Sequence, residues 1–134
     1  MKENKKENEN EKEDSKNQAR AQFNEIVAIV NDLNSENDKT REEAELKAVE
    51  NALEVSFRSG WNCEPYGLDA EEFKILLCTG GPAVRIIGSL GILNEPEEVK
   101  LQHQDWFTPW QDYPLTEEEG EILHAYAQQF CFVQ

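Results

Sequence analysis

Basic clusters, closely spaced cysteines and long apolar runs are all missing from this 134-residue chain. Affinity for a phosphate backbone comes from grouped Lys and Arg, and the few that follow Gln18 are scattered singly, so direct binding of DNA or RNA is not expected. Cys63, Cys78 and Cys131 form an odd set without CxxC spacing, and the N-terminus has no apolar core of a secretory signal, which points to a reducing cytosol. Nothing approaches the ~20 consecutive apolar residues that span a bilayer, so no membrane contact is expected. Residues 2–18 contain no apolar side chain to offset the entropy of ordering, and residues 1–18 are expected to be a disordered charged tail, dispensable for folding.

What the chain has in excess is acid, with a formal net charge of -15. The tail nearly cancels, five Lys against five Glu and one Asp, while residues 19–134 set 8 Lys or Arg against 22 Asp or Glu. A single acidic domain over residues 19–134 therefore displays almost the whole surplus. Such a field favours basic partners and repels nucleic acid, although acidity also serves solubility alone.

Periodicity supplies the fold class. Phe23, Ile26, Val27, Val30 and Leu33 recur at helical spacing, and Thr40 with Glu43 reads as a capping box that opens a second helix. Ala44, Ala48 and Ala52, with Leu46, Val49 and Leu53 beside them, let this helix pair with the first as a hairpin. Alternation then replaces helical spacing: Leu53, Val55 and Phe57 on a half-buried strand, Phe73–Cys78 on an interior one, Ala83–Leu90 on a third, and Val99, Leu101 and His103 on a fourth, expected at an edge. Gly60–Asp69, with Trp61 and Tyr66, reads as a loop, and Thr79-Gly80-Gly81-Pro82 as a tight turn. Thr116 with Glu119 opens a closing helix carrying Ile122, Leu123, Tyr126 and Phe130. The expected class is α+β: an N-terminal helical hairpin, a four-stranded antiparallel sheet and a C-terminal helix.

Few residues carry candidate chemistry. Cys78, His103 and Asp105 are the only set that could serve as nucleophile, base and orienting carboxylate, but no cysteine-enzyme signature surrounds Cys78, so no catalytic residue is assigned. Zinc would draw on Cys63, Cys78, Cys131, His103 and His124, of which even the closest, His124 and Cys131, are 7 residues apart instead of forming a tight ligand pair, so neither a metal site nor a cofactor is expected. Gly80-Gly81 lacks the context of a phosphate cradle. Arg85, a lone cation on an apolar strand, must find a carboxylate or a wet face, and a structural ion pair is the favoured expectation. Trp106, Phe107, Trp110 and Tyr113 read as a lid on the core, or alternatively as a recognition patch in which Trp106 and Trp110 are the anchors. Acidic clusters at Glu42, Glu43 and Glu45, at Glu95, Glu97 and Glu98, and at Glu117 to Glu121 could imitate a phosphate backbone if they share a face. Glu95, Glu97, Glu98, Glu117, Glu118 and Glu121 are the carboxylates assigned to partner binding. The ordinary alternative is separate, solvated loop and helix ends.

RSGW at 58–61, ILLCTGGPAVRI at 75–86, QDW and TPW within 104–110, and LTEEE leading to the closing QF-C-F resemble a family of small acidic proteins carried by plasmids, integrative elements and phages of low-GC Gram-positive bacteria. The resemblance covers residues 53–134 and extends to the type II anti-CRISPR setting. It implies an antagonist of host defence, with a CRISPR effector nuclease as partner, and it supplies no catalytic residues. Such a nuclease holds its guide heteroduplex in a positively charged channel where an acidic domain could block guide RNA loading or DNA binding. The competing expectations are a small interaction adaptor, which needs an exposed apolar patch, and a metal-dependent nuclease, which needs carboxylates converging in a pocket.

Overall fold

The structure, a computed structural model, describes residues 2–58 and 71–130, without the side chains of residues 2–14 and Ile92. The loop reading for Gly60–Asp69, with Trp61, Cys63 and Tyr66, and the pattern at Cys131 lie outside these residues. Helix α1 (Lys2–Leu33) buries Ala19, Phe23, Ile26, Ile29 and Val30, the stripe expected from 3.6-residue spacing. It also runs through the segment expected as a tail. Ser15 is only 1% exposed, so the expected boundary after Gln18 cuts through a packed part of the helix. Helix α2 (Asp38–Glu50) starts two residues before Thr40. Asn37 caps it, its side chain accepting from the backbone N–H groups of Lys39 and Thr40, and this replaces the expected Thr40 box. Only the narrow stripe of Ala44 and Ala48 meets the rest of the protein. Alanines allow so close an approach that the flanking Leu46 and Val49 splay outward and stay exposed, contrary to their expected place in the helix pair.

Strands β1 (Glu54–Arg58), β2 (Glu72–Cys78), β3 (Ala83–Leu90), β4 (Pro96–Gln104) and β5 (Gln111–Asp112) form one antiparallel sheet in sequence order. The α+β class thus stands, with a fifth strand of two residues where four were expected. That addition moves β4 off the edge along Gln102 and His103, which pair with Asp112 and Gln111. Register places Val55, Ile75, Ile86 and Leu101 in one row across four strands, and the last three are fully buried. In the next row Gly88 faces Phe73, and a Cβ there would lie 1.9 Å from the carbonyl oxygen of Glu98 and 2.8 Å from the Phe73 ring. Only glycine fits so close an approach.

Helix α3 (Glu117–Ala127) begins with the expected capping box: Thr116 accepts from the Glu119 N–H, and Glu119 returns the bond to the Thr116 N–H. Helices α1 and α3 cover one face of the sheet over β3 and β4, and α2 packs on α1. Tyr126, fully buried, ties these layers together by donating to the Ala48 carbonyl at 2.9 Å and accepting from Asn51. Burial pushes its hydroxyl pKa up to about 12. A short 3-10 turn, Ile92–Asn94, leads into β4, with Leu93 and Asn94 at positive φ. The opposite face of the sheet, bearing Ser56, Lys74, Arg85, Ile87 and Gln102, has no helix over it among the described residues.

Candidate functional site

Alternation along β4 sends Glu97 and Val99 to the same side as buried Leu101 and His103, so they look toward α3. On α3, Glu117, Gly120, Glu121 and His124 recur at helical spacing. These two sets line one open depression of about 400 Å³, which brings Glu97 together with Glu117 and Glu121. His124 fixes the spacing of helix and strand through a 2.7 Å contact between its Nε2 and the Pro96 carbonyl. Glu98, one residue on, takes the opposite side of the strand, while Glu95 and Glu118 are exposed but do not line the depression. Glu119 is drawn away by Arg20 at 2.7 Å, whose hydrogen bond lowers the carboxyl pKa. The two clusters read from the sequence are therefore regrouped: one carboxylate from β4 and two from α3 face a common space. Glu42, Glu43 and Glu45 remain on the exposed side of α2.

The suspected cysteine constellation does not assemble. Cys78 contacts the Pro82 carbonyl at 3.8 Å, and burial raises its thiol pKa, the opposite of nucleophile activation. His103 and Asp105 meet Ser15 instead. The Ser15 hydroxyl donates to Asp105 Oδ2 at 2.8 Å, and with its one proton so used it accepts from His103 Nδ1 at 2.9 Å. A serine nucleophile would give its proton to the histidine, so this order, with Ser15 and His103 both buried, is that of a structural tie between α1 and β4. Sequence reading missed Ser15 because a polar residue in a polar segment carries no periodic signal.

Burial holds the His103 pKa below 6.5, with Asp105 pulling upward and Lys16 downward. Folding then favours the neutral ring. The stability this gives is present above pH 6.5 and is lost as pH falls through the lowered folded value. Ser15→Ala leaves two buried or half-buried groups without their shared partner and is expected to cost about 1 to 3 kcal/mol in urea unfolding. Removal of residues 1–18 takes the same hydroxyl away and is expected to cost at least as much; an unchanged midpoint for both variants would show that the tie contributes nothing.

The turn at Trp106 and Phe107 is not a lid, whereas Tyr113 is half-buried against the core. Trp106 is 65% and Phe107 98% exposed, their rings 5.7 Å apart. The turn is closed by the Thr108 N–H to the Asp105 carbonyl and by Thr108 Oγ1 bonds to both the carbonyl and the N–H of Asp105. Phe107 sits in it at φ 62°, a conformation that glycine adopts freely and a bulky side chain does not. Trp106 Nε1 donates to the Gly80 carbonyl at 3.1 Å, bracing this turn against the β2–β3 turn. Trp110 has a separate role, since the Arg85 guanidinium lies 4.0 Å from its ring centroid. Arg85 also donates from Nε to Gln102 at 2.8 Å. A stacked ring and an amide thus hold it where a carboxylate was expected.

Comparison with protein-family models, curated proteins and solved structures finds no match to this chain. Among the described residues, no helix is long and apolar enough to cross a membrane, and no three His, Cys, Asp or Glu side chains are grouped to hold a metal ion.

Proposed function

We propose that this chain is a non-enzymatic inhibitor of a CRISPR effector nuclease, acting in the bacterial cytoplasm by presenting carboxylates to a basic nucleic-acid-binding surface and blocking guide RNA loading or DNA binding. The observation that carries this reading is the convergence of Glu97, Glu117 and Glu121 on one open depression of about 400 Å³. Carboxylates from two elements on one surface offer a basic groove several negative charges at once, as a run of phosphates does. The formal net charge of -15 adds attraction at long range. The resemblance of residues 53–134 to mobile-element proteins supports the class of target.

The test is the affinity of the purified protein for a type II effector nuclease as salt is raised. Binding is expected to weaken steeply between ~50 and ~200 mM salt, and effector preloaded with guide RNA or with target DNA is expected to bind less. Salt-insensitive binding without competition would overturn phosphate mimicry.

A second reading, an interaction adaptor of a mobile element, is favoured by the aromatic turn. Phe107 pays a conformational cost at positive φ and returns almost no burial, which is how strain at a recognition site looks. Trp106→Ala together with Phe107→Ala separates the two readings: loss of partner binding with salt dependence retained assigns the anchor to this turn.

A further inference from the structure

The sheet face away from the helices carries both signs of charge, and two of its cations stand apart from the ion pairs there. In register across three strands stand Ser56, Lys74 and Ile87, and in the adjoining row Glu54, Leu76, Arg85 and Gln102. Arg20, Arg41, Arg58 and Lys100 each have a carboxylate partner, whereas Arg85 and Lys74 have none among the described residues. Arg85 is held by Gln102 at Nε and by Trp110 against its flat face, which leaves both terminal Nη groups without a partner there. Burial lowers its pKa, as expected of a cation removed from water without a counter-ion.

Two cavities meet at these side chains. One of about 340 Å³ is lined by Ser56, Phe57, Lys74, Arg85 and Ile87 among others. A smaller one of about 90 Å³ is lined by Ser56, Lys74, Leu76, Arg85, Trp110 and Glu54. Ser56, Lys74 and Arg85 belong to both. The larger volume lies in the range of small-molecule sites, and its lining sets Ser56, Arg58, Glu72, Lys74 and Arg85 beside the apolar Ile87.

We infer that this cleft binds a small ligand through one oxyanion group, a phosphate or a carboxylate, received by the Arg85 guanidinium with Lys74 and Ser56 beside it. A guanidinium fixed by stacking and by one amide bond is pre-organised, so little side-chain entropy remains to be lost when its free edge takes an oxyanion in a bidentate fork. Of the two carboxylates at the cleft, Glu72 is engaged by Arg58 and Glu54 stays at the smaller cavity, which limits the ligand to a single anionic group. The net charge of the protein opposes a polyanion in the same place. Ile87 gives an apolar body somewhere to rest.

The full chain titrated with inorganic phosphate, phenyl phosphate and benzoate, and followed by ¹H–¹⁵N NMR, tests this. Saturable shifts are expected at the Arg85 Nε–H and the Trp110 indole N–H, with phenyl phosphate binding more tightly than inorganic phosphate. The ratio of phenyl phosphate to benzoate affinity distinguishes a phosphate from a carboxylate ligand. Arg85→Gln is expected to weaken binding at least about tenfold. Lys74→Ala, at an exposed position that leaves the core intact, is expected to weaken it roughly threefold to fivefold. Absence of saturable shifts with all three probes, shifts reproduced by sodium chloride, or unchanged affinity in Lys74→Ala would overturn the inference.

Discussion

Ile86→Ala is expected to destabilise the protein by about 2 to 5 kcal/mol, and Ile75→Ala by a similar amount, as truncations of fully buried aliphatic side chains do. Both residues are fully buried and lie in one row with Leu101, under the layer of α1 and α3. Strand β3 is hydrogen-bonded on both sides, by β2 and by β4, so the backbone cannot fall inward to fill the space a lost side chain leaves. The cost therefore combines lost transfer energy with a persistent cavity. Val55→Ala, in the same row on edge strand β1 and already exposed, is expected to stay within about 1 kcal/mol and serves as the internal control. Urea unfolding with an unchanged slope gives the comparison. Near-zero effects at both isoleucines would mean that this row is not the centre of the core.

The core rows were legible because they rest on alternation, a property of adjacent residues. Ile75 and Ile86 stand within runs that only a covered strand accommodates, and Thr79 to Pro82 could hardly be anything but the turn between them. Caps were half legible. Thr116 with Glu119 forms the box its spacing promises, whereas Thr40 with Glu43 offers the same spacing and loses to Asn37, whose side chain satisfies two N–H groups one turn earlier. Nothing local decides between two competent caps.

Features that depend on distant partners were not legible. Ser15 gains its place from His103 and Asp105, 88 and 90 residues away, and reads as part of a polar tail without them. Arg85 reads as a cation in need of a partner, but its partners are Gln102, opposite it on β4, and Trp110, which the return of the chain into β5 brings alongside. Two-residue β5 is too short to show alternation. Hydrophobicity favours an inward Phe107 over a recognition patch, and the turn geometry places the ring outward. The carboxylates of the candidate site were each visible as residues; their grouping across β4 and α3 exists only in the fold.

That regrouping sets the most demanding test of the proposed function. Replacing Glu97, Glu117 and Glu121 together by lysine converts three converging negative charges to positive while leaving the fold intact, since all three are exposed and none is in an ion pair among the described residues. Binding to the effector nuclease is expected to be abolished, a loss of at least about a hundredfold, because each reversal both removes an attraction and adds a repulsion inside a basic groove. The comparison that gives this result its meaning reverses Glu95, Glu98 and Glu118 instead. It changes the net charge by the same amount, at residues drawn from the same two clusters that do not line the depression. If the protein acts only through its overall field, both triple variants lose affinity alike; if the depression is the contact, the second variant keeps most of its affinity and shows mainly slower association. Full binding by the first variant at low salt would remove the acidic site and leave the aromatic turn at Trp106 and Phe107 as the anchor, because those two rings are exposed together.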